Sequence, residues 1–128
     1  MPVINSFTIL VEEAKIKNNN MNGSFQFNPQ INAVIKNTNE KYSLSVSVKV
    51  ENSDEKQFPI DLYAKVTGIF TFSKEERETI ICFMKEEAFQ MVYPYLRTVV
   101  TNLTSLALVN PLILPIINSE KLINYVEE

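Results

Sequence analysis

Apolar and polar residues alternate along most of the first half of the chain, and the alternation changes phase once. Phe7, Ile9 and Val11 alternate with Thr8, Leu10 and Glu12, the period of an extended strand, and the apolar positions then move to Ala14 and Ile16. One extra residue near Glu12-Glu13, taken up as a β-bulge, accounts for the change. Asn18 to Gly23 is turn or crossover chemistry, because Asn and Gly tolerate positive φ. Ile31, Ala33 and Ile35 predict a second strand, ended by Asn37-Thr38-Asn39. In the third, Tyr42, Leu44, Val46, Val48 and Val50 face one way and Ser43, Ser45, Ser47, Lys49 and Glu51 the other, so one side is wet. Asn52 to Lys56 predicts a hairpin loop. The fourth strand is long: Ile60, Leu62, Ala64, Val66, Gly68, Phe70 and Phe72 share a face opposite Asp61, Tyr63, Lys65, Thr67 and Thr71. Short connections between such strands predict an antiparallel meander.

The second half changes period. Ser73-Lys74-Glu75-Glu76 reads as a capping box and predicts a helix from about Lys74, with Ile80, Ile81, Met84 and Ala88 on its apolar side. A break is expected between Lys85 and Pro94, followed by a long helix on which Leu96, Val99, Val100, Leu103, Leu106 and Ala107 form one apolar face. Pro111 and Pro115 then forbid continued helix, so Leu108 to Ile117 reads as an extended, very apolar connector. Asn118 or Ser119 caps an expected last helix carrying Leu122, Ile123 and Val126. Strands first and helices afterwards give an α+β fold: a four-stranded antiparallel sheet with helices packed on one face. At 128 residues, the chain is read as one domain over residues 1–128.

Charge and chemistry narrow the function. The net charge of −3 is spread out, which argues against nucleic acid as the main partner. There is no histidine, so the commonest general base and metal ligand is missing. The lone Cys82 has no imidazole to activate it and reads as an inert packed or interface thiol in a reducing compartment. Glu12-Glu13, Glu75-Glu76, Glu86-Glu87 and Glu127-Glu128 read as solvated runs rather than an acid/base pair or a metal site. With two glycines there is no phosphate loop. The start has no basic region ahead of an apolar one, and the apolar connector is too short to span a bilayer, so no secretory signal and no membrane insertion are expected. These features point to a non-enzyme without cofactor or metal, and to the cytoplasm. Large apolar residues exceed what one small sheet and its helices cover. That predicts oligomer contacts, for which Ile60, Leu62, Ala64, Val66, Val92 and Tyr95 are the candidates, and a binding surface.

Tyr93-Pro94-Tyr95-Leu96-Arg97, with Pro111-Leu112-Ile113-Leu114-Pro115-Ile116-Ile117-Asn118 after the long helix, resembles the SecB family of protein-export chaperones. Phe27-Asn28-Pro29-Gln30-Ile31 is similar to the family's lead-in to its second strand, and Gly68-Ile69-Phe70 to the end of its fourth. The resemblance implies a homotetramer, a dimer of dimers, that holds unfolded preproteins in long apolar grooves without ATP and keeps them competent for the Sec translocase. It also implies Phe25, Phe27, Phe58, Leu112 and Leu114 as groove lining. Two departures qualify it. Leu108-Val109-Asn110 stands where many members carry glycines, and the sequence ends at Glu128 without the polar, basic tail that many use to reach the SecA motor. Contact with SecA is therefore expected to be weak and to use the outer sheet face, where Asp61, Tyr63 and Lys65 stand and where the family is more acidic. Two other readings remain: a SecB-like chaperone of a non-export client such as an antitoxin, and a small α+β module that binds an apolar ligand.

Overall fold

The computed structural model describes residues 3–19, 30–38, 41–50, 60–106 and 123–127. In chain order these form β1 (Ile4–Asn18), β2 (Gln30–Thr38), β3 (Lys41–Val50), β4 (Ile60–Phe72), α1 (Arg77–Leu106) and β5 (Ile123–Glu127). The sheet order is β1-β4-β3-β2-β5. The first four strands pair antiparallel, and β5 adds to β2 in parallel. The expected four-stranded antiparallel sheet is therefore present, with a helix on one face and a short fifth strand at its edge.

The topology is not the plain meander that short loops suggested. β2, β3 and β4 are neighbours in sequence and space, but β1 lies beside β4, three strands from β2. Three strand spacings are about 14 Å, and residues 19–29 make that crossing. The phase change in β1 is a real bulge: the register slips between Val11 and Glu13, so Val11 faces Val66 and Ala14 faces Ala64. Without it, Ala14 and Ile16 would turn to the outer face.

The core lies between the sheet and α1. Tyr42, Leu44, Val46, Val48 and Val50 from β3 and Ile60, Leu62, Ala64, Val66 and Phe70 from β4 are buried against Phe83, Met84, Ala88, Phe89, Val92, Leu96 and Val100 of the helix. Gly68 allows the helix to sit close. A Cβ there would come within 2.6 Å of Val92 Cγ2 and 3.3 Å of Phe7 Cε1.

Three expectations about the second half change. α1 begins at Arg77, not near Lys74. Ser73 is occupied elsewhere: its hydroxyl donates to Asn5 Oδ1 at 2.5 Å and its N–H to the Val3 carbonyl at 3.0 Å, tying the helix lead-in to β1. The carbonyl that accepts the first helical bond is that of Glu76, from Ile80 N–H at 3.1 Å. Secondly, no break separates Lys85 from Pro94; one 30-residue helix runs through the proline. Pro94 lacks the N–H that would reach the Gln90 carbonyl, but both residues are exposed, so water serves that carbonyl at little cost. Thirdly, Ile123–Glu127 is a strand rather than part of a last helix. β2 offers an open ladder of N–H and C=O groups, and Ile, Tyr and Val suit an extended backbone. The connector from Leu108 to Asn118 lies outside the described residues.

Candidate functional site

Among the strands whose burial is described, β1 is the most exposed. α1 packs mainly on β3 and β4 and touches β1 less, so the strand's apolar residues stay partly in water. Phe7 is 37% exposed, Leu10 37% and Val11 51%, three large apolar side chains left partly in water close together on one strand. Register places Phe7 and Val11 on the helix side, opposite Phe70 and Val66, and Leu10 on the outer side, opposite Thr67. Phe7 stacks on Phe70 with ring centroids 4.5 Å apart, which fixes the strand to the core. Among the described residues, β1 is the sheet edge with no neighbour on its far side. Such an edge accepts another extended segment through its backbone, whatever that segment's sequence, while the apolar strip rewards apolar side chains.

A second apolar surface runs along α1. The stripe Ala88, Val92, Leu96, Val100 and Thr104 is buried. Beside it, at spacings of four, four, four and three, stand Met91, Tyr95, Val99, Leu103 and Leu106. Met91, Val99 and Leu103 are half-buried, while Tyr95 and Leu106 are exposed. Covering an exposed residue of this kind is worth roughly 1.5–3 kcal/mol, so both surfaces have reason to acquire a cover.

Sequence reasoning placed the binding surface elsewhere. Phe25, Phe27, Phe58, Leu112 and Leu114, the groove candidates, lie outside the described residues. Of the oligomer candidates, Ile60, Leu62, Ala64, Val66 and Val92 are 3% exposed or less, consumed by the core of one chain. Their burial needs no second subunit, because α1 already covers them. Tyr95 alone of that set remains on the surface. The exposed strip of β1 was missed, although its signal was present: a strand of 15 residues with Phe7, Leu10 and Val11 carries more apolar residues than a single helix covers.

The motor-contact candidates Asp61, Tyr63 and Lys65 do stand together on the outer face of β4, with Lys15 and Lys17 of β1 and Lys49 of β3 beside them. Lys65 Nζ lies 3.1 Å from Glu12 Oε2, and Lys15 Nζ is 3.1 Å from Glu13 Oε1 and 5.7 Å from the centre of the Tyr63 ring. The Glu12 carboxyl is held below the usual carboxylate range, first by the Thr67 hydroxyl donating to it and then by Lys65 and Lys36, against the opposing effect of partial burial. Because Thr67 has one hydroxyl proton, its 2.9 Å contact with Ser45 must run from the serine to the threonine oxygen.

The Cys82 side chain, expected to be packed or at an interface, is exposed on α1 and not packed in the core of this chain, and its thiol donates to Glu86 Oε2 at 3.7 Å. Among the described residues no three His, Cys, Asp or Glu side chains gather to hold a metal ion, and no helix is long and apolar enough to cross a membrane.

Comparison with known proteins agrees with the fold. A family model described as preprotein translocase subunit SecB matches residues 5–127. An uncharacterized protein of Methanocaldococcus jannaschii is 27% identical over 95 residues, which are 72% of this chain and 61% of that one, so the chain spans about three fifths of that relative's length. The SecB-like chaperone of Mycobacterium tuberculosis, solved in complex with a ChAD peptide from the HigA1 antitoxin, superposes with a TM-score of 0.70 at 14% identity, over 90% of this chain and 89% of that one.

Proposed function

The chain belongs to the SecB family, and from that membership we propose that it is an ATP-independent holdase, which binds unfolded polypeptides through apolar surface and keeps them soluble. The observation that carries this reading is β1, which among the described residues has no neighbour on its far side and leaves Phe7 and Val11 on the helix side and Leu10 on the outer side exposed. An unfolded chain offers what this edge lacks, extended backbone and exposed apolar side chains. Recognition through backbone pairing and non-directional apolar contact tolerates many client sequences. No bond in the client is made or broken, so the reading is a binding function in the cytoplasm rather than catalysis.

The working unit in this proposal is a homotetramer. Edge strand and helix stripe together leave more apolar surface than suits a lone 128-residue chain, and several copies give a long client several points of attachment. Preproteins destined for the Sec translocase are the first client class, as the family description suggests. An antitoxin is the second, supported by the antitoxin peptide bound to the Mycobacterium tuberculosis chaperone of the same fold. SecA contact, through the outer face around Tyr63 and Lys65, is proposed as weak and salt-sensitive, since exposed charges act mainly on encounter and are screened. Purified protein mixed with a denatured preprotein, and separately with a denatured antitoxin, tests the client assignment. Retention of the preprotein in soluble complex supports export. Binding confined to the antitoxin supports the second class.

A further inference from the structure

The described residues on the outer face of the sheet carry the opposite charge to the chain. The whole protein carries −3. On the outer face, register lines up Lys15 and Lys17 of β1, Lys36 of β2, Lys41 and Lys49 of β3 and Lys65 of β4. Among the described residues, three carboxylates stand against these six, Glu12, Glu13 and Asp61. The lysines concentrate at one end, where Lys15, Tyr63 and Lys49 form one row across three strands and Lys17 lies two residues further on. An open depression of about 670 Å³ lies at this end, lined by Lys15, Lys17, Lys49, Glu13, Asp61 and Tyr63 and reaching round the strand ends to Ile16, Val50 and Leu62.

We propose that this end of the outer face docks an acidic segment of a partner polypeptide. The spacing fits an extended acidic chain. Lys15 and Lys17 are two residues apart on one strand, about 7 Å, which is also the separation of alternate side chains in an extended peptide. Lys49 is two strands from Lys15, about 10 Å, within reach of the same peptide's flanking acids. The Tyr63 ring, with the Lys15 ammonium against it, supplies an apolar floor for a neighbouring side chain. A nucleic acid fits less well. Glu12, Glu13 and Asp61 interrupt the lysines and repel a continuous polyanion, whereas a peptide places neutral residues opposite them. The described outer face also carries no arginine for bidentate phosphate contact. The surface is separate from the apolar strip on the helix side of β1 and does not depend on the holdase reading.

Fluorescence anisotropy tests this with the full chain and a labelled synthetic peptide in which Glu alternates with Ser around a central Phe. The controls are the same peptide with Lys for Glu, and a single-stranded oligonucleotide. Saturable binding of the Glu peptide is expected, weakened at least about tenfold between about 50 and about 300 mM salt. The K15E/K49E variant should lose most of this binding while suppressing client aggregation as the parent does. Circular dichroism and a parent-like melting curve establish that the variant folds; if it does not, the single variants K15E and K49E are used, each with a several-fold loss expected. Failure of the Glu peptide to bind at low salt, equal binding by the charge-reversed variants, or equal binding of the oligonucleotide would overturn the proposal. Failure of aggregation suppression with peptide binding intact would count against the holdase reading alone.

Discussion

At Gly68 the helix comes close to the sheet, and the role of the glycine follows from one missing atom. A Cβ would meet Val92 Cγ2 at 2.6 Å, so either the helix lifts or the valine moves. We expect Gly68→Ala to destabilise the fold by about 1–3 kcal/mol, measured by urea unfolding, and Val92→Ala in the same chain to recover part of that loss despite its own cavity. An additive double mutant would show that the close approach is not where the strain arises. Glu12 makes a second residue-scale prediction. Its folded pKa lies below the ordinary 4.5, so its contribution to stability is present above that value and is lost as pH falls through the folded pKa. Thr67→Val removes the main donor. It should raise the Glu12 pKa toward the ordinary value and reduce the acid-side loss of stability, as carboxyl NMR titration and pH-dependent urea midpoints would show. The alternation on β3 and β4 was readable in advance because each of Leu44, Val46, Leu62 and Ala64 is buried on one side by the same helix. The exposure of Tyr95 beside buried Leu96 was not readable, because it depends on how far α1 is rotated over the sheet.

At the scale of elements, the strands and the bulge were legible because period two is a local property, and one added residue reverses it. The order of strands was not. Which neighbour β1 takes is a long-range choice that β1's own pattern does not encode. Nor was helix continuity legible. Pro94 looks like a breaker, yet its lost hydrogen bond falls on the solvent side, where water replaces it. Hence Pro94→Ala should raise stability, by about 1–2 kcal/mol in a denaturant titration, with the regained hydrogen bond and helix propensity outweighing the greater freedom of the unfolded chain. β5 was misread because Leu122, Ile123 and Val126 have helical spacing, while the open edge of β2 decides the outcome. The most exposed apolar position of β1 offers the sharpest test of the site. Val11→Lys places a charge on the open strip without touching the core, and should weaken client binding at least about tenfold with little change in thermal midpoint. Unchanged client binding would move the site away from β1.

As a whole molecule, the chain presents two unlike surfaces. One is an apolar strip and helix stripe suited to self-association and unfolded clients; the other is a lysine-rich outer sheet face. The first predicts a tetramer, and light scattering coupled to size exclusion at micromolar protein should give four times the chain mass of 14.7 kDa. A stable monomer would mean that strip and stripe are covered in some other way. The binding surface was less legible in the sequence than the fold. Phe25, Phe27, Phe58, Leu112 and Leu114 were nominated through family resemblance, whereas the strip seen in the structure follows from the physics of an uncovered edge. The central claim is that the protein holds unfolded chains soluble without nucleotide, and light scattering of a chemically denatured client diluted into buffer tests it most directly. With the protein present and ATP absent, the client should remain soluble in proportion to added chaperone, and size exclusion should recover the two together. Aggregation at the same rate with and without the protein, or protection that appears only when ATP is added, would contradict the account.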